Sequence, residues 1–174
     1  MRDVSVRLAK PTPRWREEFL AAVKRSRRLH GRFAHPPADE AAFDRWMKRL
    51  RRPSNESHLI VHEHDGLVGV VNISEIVCGV LMSGYLGYYA FAPHARKRYM
   101  TAGLALVVDR AFGELGLHRL EANIQPENAA SIALVTRLGF SREGYSPRYL
   151  KLGGRWRDHE RWALLAENWQ RVRR

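Results

Sequence analysis

The sequence predicts a single domain of α+β or mixed α/β architecture. Strand-length apolar runs and runs of helical i, i+3, i+4 spacing follow one another in the order β-α-α-β-β-β-α-β-α-β-β. Asp65-Gly66 stands between two such runs and is a strong hairpin signal, which predicts antiparallel pairing of its flanking strands. With 174 residues and no internal repeat or linker-like stretch, the chain is long enough for one substantial core. We therefore expect residues 1–174 to form one domain.

The first 57 residues predict one strand and two helices. Residues 4–8 alternate as a strand, and Thr12-Pro13 marks the start of a helix. The apolar stripe of that helix is Trp15, Phe19, Ala22 and Val23, and its last turn carries Arg25, Arg27 and Arg28. Residues 30–38 contain glycine and prolines that end it. A second helix follows Asp39, near its N-cap, and its apolar side is Phe43, Trp46, Met47 and Leu50.

The remainder of the chain predicts six strands and two helices. The strands are expected at residues 58–62, 67–73, 85–91, 120–125, 148–152 and 156–164. The long helix after the third of these strands has Leu104, Val107, Val108, Ala111, Phe112 and Leu115 at helical spacing. A shorter helix starts after Asn128 and ends at Arg137-Leu138-Gly139, and Gly153-Gly154 turns the chain between the last two strands.

A basic loop, Arg96-Lys97-Arg98-Tyr99-Met100-Thr101, leads into the long helix. The first N–H groups of a helix lack intrahelical partners, and the helix dipole adds partial positive charge there. Such a terminus is a natural seat for a phosphate, and three cationic residues suggest more than one phosphate. Taken alone, the loop is better explained as a solvated charged turn, and the phosphate site depends on the motifs that follow it.

Four short motifs follow this loop. In chain order they are Asn128-Ala129-Ala130-Ser131, Leu138-Gly139-Phe140, Glu143-Gly144-Tyr145 and Trp156-Arg157-Asp158-His159. Together they resemble the GNAT superfamily of acetyl-CoA-dependent N-acetyltransferases, over roughly residues 58–165. They are most similar to its RimJ/RimL branch, which acetylates protein N-terminal amines, notably those of ribosomal proteins. The resemblance implies the GNAT acyl-CoA N-acyltransferase fold: flanking helices around a twisted, mostly antiparallel sheet, splayed between the strands of Tyr85 and Leu120.

The resemblance also implies how acetyl-CoA is held. Main-chain groups of Tyr89, Ala90 and Phe91 are expected to pair with the pantetheine arm. The pyrophosphate is expected at Arg96, Lys97, Arg98, Tyr99, Met100 and Thr101. The family's loop usually reads Gln/Arg-x-x-Gly-x-Gly/Ala, whereas this chain has Ala95, Arg98 and Met100 at those positions. Glycine lets the backbone approach a phosphate closely, so Arg98 is the main departure.

Ser131 is the candidate general acid that protonates the CoA thiolate. Many GNAT enzymes place a tyrosine at the position that holds Val135 here, and in the RimL-like pattern the serine of Asn-x-x-Ser takes that role. A plain serine in the first helical turn is the alternative. Asn128 is the predicted helix cap, and its amide is also a candidate ligand of the pantetheine arm.

For a general base, the choices are Glu75, Glu121 and Tyr145. Glu121 lies on the strand expected to line the crevice, and Glu75 follows the end of another strand; either is also open to interpretation as an exposed carboxylate. An α-amine with a pKa of about 7.7–8.0 is substantially neutral near pH 7.5, whereas a lysine with a pKa near 10.4 is not. The lack of a compelling base therefore favours an N-terminal amine as acceptor. His159 and Asp158 either fasten the last hairpin or order a substrate peptide.

The composition is strongly basic. Thirty Lys and Arg against 18 Asp and Glu give a net charge of +12, concentrated in Arg25–Arg28, Lys48–Arg52 and Arg171–Arg174. These clusters predict attraction of polyanions, either the cofactor itself or RNA near a ribosomal substrate. Solvated helix faces are the alternative, and no zinc-finger or RNP-type motif is present.

Other features set the expected compartment. No run of 18 apolar residues and no secretory signal are present, and the lone Cys78 excludes an intramolecular disulfide, so we expect a cytoplasmic protein without a membrane partner. Eight histidines lack a completed ligand set, and we expect no metal. We expect a monomer or a homodimer.

Three functions compete at this point. The first is acetylation of a protein N-terminus, and the second is acetylation of a small amine such as an antibiotic, a polyamine or an amino acid. The third is a non-catalytic protein that binds partners through its basic surface. The first two share the fold and differ only in the acceptor groove.

Overall fold

The computed structural model describes the backbone of residues 5–172 and the side chains of residues 5–169. Its strands are β1 (Val6–Ala9), β2 (Glu56–His62), β3 (Gly66–Val77), β4 (Ser83–Ala90), β5 (Arg119–Ile124), β6 (Ser141–Leu152) and β7 (Arg155–Leu165). Its helices are α1 (Arg16–Arg25), α2 (Arg27–His30), α3 (Glu40–Arg49), α4 (Tyr99–Gly113), α5 (Ala129–Arg137) and α6 (Ala166–Val172), and a 3-10 turn covers Pro13–Trp15. Among these described residues, no helix is long and apolar enough to cross a membrane.

The strands form one sheet in the order β1-β2-β3-β4-β5-β7-β6. Every neighbouring pair is antiparallel except β4 and β5, which are parallel. That parallel pair is short, because its register ends at Tyr85 opposite Glu121 while both strands continue. The prediction of a mostly antiparallel sheet that splays between these two strands is confirmed.

The two faces of the sheet carry separate cores. Because side chains alternate along a strand, Ile60 packs beneath α4 with Leu104 and Val107, while its neighbour Leu59 faces the other side. There α1 and α3 contribute an aromatic cluster in which the ring of Phe19 lies 5.0–5.7 Å from the rings of Phe43, Trp46 and Phe91. Helix α4 therefore covers one face of the sheet, and α1 and α3 cover the other. The central strands are buried on both sides.

Several predicted boundaries were wrong. The first helix ends at Arg25, and Arg27 and Arg28 belong to the separate short helix α2. Ser26 causes this break, since its hydroxyl donates to the Ala22 carbonyl at 2.6 Å and accepts from the Ala92 N–H at 2.9 Å. Strand β6 begins at Ser141 rather than near residue 148, and α6 was not predicted. Val4 and the last two arginines lie outside the described residues.

Candidate active site

A cleft of about 470 Å³ opens where β4 and β5 part. Its floor is formed by the diverging strands, and its sides by the start of α5 and by the β6–β7 hairpin. The side chains that give it chemical character are Phe33, Glu75, Tyr88, Asn123, Ser131 and His159. The separation of two strands thus creates a space with both polar and apolar walls inside an otherwise continuous sheet.

Ser131 lies in the first turn of α5 and lines this cleft, as expected. Its main-chain N–H donates to Asn128 Oδ1 at 3.2 Å, which confirms Asn128 as the helix cap. The Ser131 hydroxyl lies 2.6 Å from the Tyr88 hydroxyl on β4. Burial raises the pKa of Tyr88 to about 12, and the hydrogen bond to Ser131 opposes this only in part. Tyr88 therefore stays protonated near neutral pH and can donate to Ser131.

The two candidate carboxylates occupy different places. Glu75 is exposed on the cleft wall, in a bulge where the β3–β4 register shifts, with φ of 50°. A non-glycine residue in this left-handed region is strained, and bulges often aim side chains at active sites. Glu121 lies outside the cleft wall, and its Oε1 accepts from Arg119 Nε at 2.9 Å. The third choice, Tyr145, donates its hydroxyl to Asp158 and does not line the cleft either.

Asn123 and His159 line the cleft without having been assigned a catalytic role from the sequence. Asn123 Oδ1 is buried and has no hydrogen-bond partner among residues 5–169. A buried acceptor without a partner is costly, so this oxygen is suited to a donor that a bound molecule supplies. Side chains alternate along β5, so Asn123 lies on the same face as Glu121. This alternation was the sequence signal that could have marked Asn123 as a candidate site residue.

The basic loop lies beside the N-terminus of α4. Arg96 and Arg98 both have positive φ, 66° and 64°, at a place where the family favours glycine. Their side chains are exposed and make no ion pair or hydrogen bond in the described part of the chain. Arg98 is the N-cap, and its side chain makes no capping hydrogen bond. The first-turn N–H groups and two free guanidinium groups therefore remain for an anion, and this set fits a pyrophosphate.

Other residues of the loop are already engaged. Asp65 Oδ2 accepts from the Tyr99 hydroxyl at 2.7 Å and from Lys97 Nζ at 3.0 Å, and these bonds lower the pKa of Asp65 to about 2. Met100 packs its sulfur over Gly69, where a Cβ would have no room. Thr101 is partly buried in the first turn of α4. Lys97, Tyr99 and Met100 hence shape the loop rather than project from it.

The main chain of β4 is partly free on the side of the opening. The Phe91 N–H donates to Val68 on β3 at 2.8 Å, and strand hydrogen bonds alternate in direction. The main-chain N–H and C=O groups of Phe91 and Tyr89 therefore point towards β3, and those of Ala90 point towards the open side. The Ala90 carbonyl accepts from His30 Nε2 at 2.8 Å, which leaves the Ala90 N–H available to a pantetheine carbonyl.

A second concavity of about 810 Å³, the basic hollow, adjoins the loop that follows α2. It is lined by His35, Pro36 and Pro37 and by five exposed cationic residues, Arg45, Lys48, Arg49, Arg51 and Arg52. The ring of His35 faces Gly153 in the turn of the β6–β7 hairpin, 3.7 Å from where a Cβ would stand. Phe33, two residues earlier, lines the cleft itself. The cleft and the basic hollow thus share one loop.

Comparison with protein families agrees with this geometry. The model of the acetyltransferase (GNAT) domain matches residues 6–141, from β1 to the start of β6. The chain therefore belongs to the GNAT acetyltransferase family.

Two relatives with curated names share the central part of the chain. The probable N-acetyltransferase YjcK of Bacillus subtilis (strain 168) is 40% identical over 101 residues, 58% of this chain and 56% of that protein. The ribosomal protein uS5-alanine N-acetyltransferase of Escherichia coli (strain K12) is 37% identical over 103 residues, 59% of this chain and 53% of that protein. The chain spans about half the length of these relatives.

Solved structures show the same fold. Mycobacterium smegmatis RimJ in complex with CoA-disulfide superposes with a TM-score of 0.84 at 27% identity, over 93% of this chain and 82% of that one. Spermidine N-acetyltransferase from Vibrio cholerae with CoA and spermine gives a TM-score of 0.82 at 18% identity, over 97% of this chain and 99% of that one. At the latter identity the likeness shows the fold alone. The RimJ neighbour is a complex with CoA-disulfide, which supports a CoA thioester as cosubstrate of this family member.

Proposed function

We propose that this protein transfers the acetyl group of acetyl-CoA to the α-amine of a protein N-terminus. The observation that carries the choice of acceptor is the charge distribution around the cleft. Among the described lining residues of the cleft, Glu75 is the single carboxylate. The basic hollow, with its five cationic side chains, is built on the loop that also contributes Phe33 to the cleft. One carboxylate suits one ammonium group, whereas a polyamine carries several and would be repelled by the hollow.

The chain's own residues divide the task of binding. The guanidinium groups of Arg96 and Arg98 and the first-turn N–H groups of α4 hold the pyrophosphate, and Asn128 and the Ala90 N–H hold the pantetheine arm. When bound, acetyl-CoA supplies a thioester carbonyl that an amine can attack. Glu75 attracts the acceptor's ammonium group and orients it at the mouth of the cleft.

Ser131 acts as the general acid. The ammonium group first loses one proton to solvent and becomes the attacking amine. As the C–N bond forms and the C–S bond breaks, the sulfur takes the Ser131 proton, Tyr88 donates a hydrogen bond to the developing serine oxyanion, and the nitrogen releases its extra proton to a base in the cleft. The 2.6 Å contact between the two hydroxyls supports this relay. Glu121 has no role in this mechanism, because it is hydrogen-bonded to Arg119 and lies outside the cleft wall.

The basic hollow serves recruitment rather than chemistry. A ribosomal or RNA-bound protein presents its N-terminus next to phosphates, and guanidinium groups bind phosphates in bidentate fashion. The shared loop of residues 33–37 would then bring such an N-terminus to the acceptor end of the cleft.

The test is an acetyl-transfer screen that offers acetyl-CoA with three kinds of acceptor. These are short peptides with a free α-amine, the same peptides with a blocked N-terminus and one internal lysine, and spermidine. We expect turnover of the free α-amine peptides, with a rate that rises between about pH 6.5 and 8.5 as the amine loses its proton. Rapid turnover of spermidine beside inactive peptides would establish the small-amine function instead. If isothermal titration detects no binding of acetyl-CoA, both acetyltransferase functions are excluded. The protein is then a non-catalytic one that binds partners through its basic surface.

A further inference from the structure

His159 on β7 is buried, with a relative exposure of 2%, and its ring forms part of the cleft wall. Its Nδ1 lies 2.9 Å from the Arg157 carbonyl oxygen. A carbonyl oxygen only accepts, so this nitrogen carries the ring proton. The neutral ring therefore has its lone pair on Nε2, and the tautomer is set by the protein's own backbone.

The Nε2 atom has no hydrogen-bond partner in the part of the chain with described side chains. Among the described residues, it is also not one of the fully sealed polar atoms that lack a partner. Nε2 thus keeps some accessible surface, and its residue lines the cleft that also contains Ser131 and Glu75. A lone pair with a fixed position and no partner, facing the reaction space, has the geometry of a general base.

The groups around the ring keep it neutral. Burial lowers the pKa of His159, and this outweighs the hydrogen bond to Arg157 and the attraction of Asp158 and Glu127, which act in the opposite direction. Asp158 is itself engaged by the Tyr145 hydroxyl and the Arg148 N–H. From β6, the ring of Tyr149 packs edge-on at 6.3 Å, and Glu75 faces the same cleft. The basic form is hence present at neutral pH.

We infer that His159 Nε2 is the general base that takes the proton from the acceptor nitrogen, an assignment that rests on the proposed acetyl transfer. The amine nitrogen attacks the thioester carbon and becomes cationic, the C–S bond breaks, and the thiolate receives a proton from Ser131. The nitrogen then releases its extra proton to Nε2, so charge balances on both sides. A weak base suffices, because the nitrogen becomes far more acidic once it is bonded to the carbonyl carbon.

The test compares His159→Asn with His159→Ala and the wild type. The asparagine amide nitrogen stands near the position of Nδ1, so His159→Asn retains a donor for the Arg157 carbonyl while removing Nε2. We expect kcat to fall about 10²-fold in both variants, with acetyl-CoA affinity unchanged. Protonation of His159 should add a second loss of kcat below pH 6.5, under the range in which the amine titrates, because burial lowers the pKa of this histidine. This lower limb should disappear in both variants, while the limb that reports the amine stays. Free imidazole should restore activity to His159→Ala. His58→Asn, a buried histidine on β2 outside the cleft, is the matched control and should keep the wild-type pH profile.

A His159→Asn variant with wild-type kcat and an unchanged lower limb would overturn the assignment. So would a loss of activity in His159→Ala that imidazole leaves unrestored while the melting temperature drops, because that pattern identifies a purely structural histidine. The measurement uses whichever amine the wild type turns over fastest. If no amine is turned over, the proposed function itself fails, and this is seen in the wild type before any variant is compared.

Discussion

The hydroxyl groups of Tyr88 and Ser131 meet at 2.6 Å and connect β4 to the first turn of α5 across the opening in the sheet. Tyr88 is held by the register of β4, where it stands opposite Val71 on β3, and Ser131 is held by the cap from Asn128. Two independently fixed elements therefore place two hydroxyls in contact inside the cleft. This contact gives the serine of the Asn-x-x-Ser motif a buried hydroxyl neighbour, and it is the observation behind the role proposed for Ser131.

The first prediction concerns this pair. Ser131→Ala should lower kcat by roughly 10²–10⁴ with little change in acetyl-CoA affinity, because the acid acts only as the thiolate forms. Tyr88→Phe should lower kcat less, since water can replace part of its donation. Steady-state kinetics and isothermal titration check both. The effect of Ser131→Ala is limited by the CoA thiol itself, whose pKa of about 8.5, like that of cysteine, makes it a tolerable leaving group.

The double variant separates a relay from two unrelated contributions. If Tyr88 acts through Ser131, Tyr88→Phe adds little to a protein that already has alanine at position 131. Fully additive losses in the cycle would show that Tyr88 acts independently of the serine.

The second prediction concerns the basic loop. Replacing Arg96 and Arg98 together with alanine should weaken acetyl-CoA binding by about 1–3 kcal/mol for each charge-assisted contact. Lys97→Ala should weaken it less, because Lys97 Nζ is already bonded to Asp65. Isothermal titration measures all three affinities. Unchanged binding in the double variant would leave the backbone N–H groups of α4 as the sole pyrophosphate ligands.

Arg98→Gly is the matched control for backbone strain at that position. Its φ of 64° suits glycine, so Arg98→Gly should be more stable than Arg98→Ala by about 1 kcal/mol in urea unfolding. Both variants lack the guanidinium group. If both bind acetyl-CoA equally weakly, the side chain is the ligand; if the glycine variant alone binds like the wild type, close backbone approach decides affinity.

The third prediction concerns the basic hollow. The triple variant Arg45→Gln, Lys48→Gln and Arg52→Gln should reduce activity on a ribosome-bound or RNA-bound protein while sparing activity on a short neutral peptide. The salt dependence of activity on the large substrate should also become shallower, since fewer phosphates are neutralised.

A second triple variant, Arg14→Gln, Arg28→Gln and Arg137→Gln, removes the same charge from exposed positions that do not line the hollow. It should behave nearly like the wild type on both substrates. Equal losses in the two triple variants would mean that total charge, rather than the hollow, attracts the substrate.

The fourth prediction concerns stability against acid. Burial lowers the pKa values of His30, His58, His94 and His159. Below about pH 6.5 the unfolded chain binds protons that the folded chain resists, so stability is complete above that pH and falls as the pH drops towards the folded-state values. The slope is up to about 1.4 kcal/mol per pH unit for each histidine. Urea unfolding at pH 7.5, 6.5 and 5.5 measures how the free energy of unfolding depends on pH. The His58→Gln variant should show a weaker dependence than the wild type. Parallel stability–pH curves for the two proteins would contradict the role of His58.

Elements with strong local signals were predictable. The hairpin at Asp65-Gly66, the cap at Asn128 and the turn at Gly153-Gly154 appear where the sequence places them, because each depends on residues that are neighbours in the chain. One of the misplaced boundaries has a tertiary cause. Ser26 ends α1 with the help of the Ala92 N–H, a partner 66 residues away that no local pattern reveals.

The candidate site divides in the same way. Motif order marked Ser131, Asn128 and the loop at 96–101, since they occupy fixed places along the chain. The choice between Glu75 and Glu121 could not be made from sequence, because both follow strand-like patterns. It depends on a register shift in β3 that aims one carboxylate at the cleft and on an arginine, Arg119, that engages the other.

The sequence by itself determined most of the order of elements and the basic character of the chain, because periodicity, turn chemistry and charge are properties of short segments. The resemblance to the family came from its four short motifs instead. Only the tertiary structure decided which polar groups meet. The Tyr88–Ser131 contact joins two elements that are distant in sequence. Among residues 5–169, Asn123 Oδ1 and His159 Nε2 have no hydrogen-bond partner, and this depends on how the whole chain packs around them. Burial, register and hydrogen-bond partners arise from packing of the whole chain, and these three properties give the cleft its proposed chemistry.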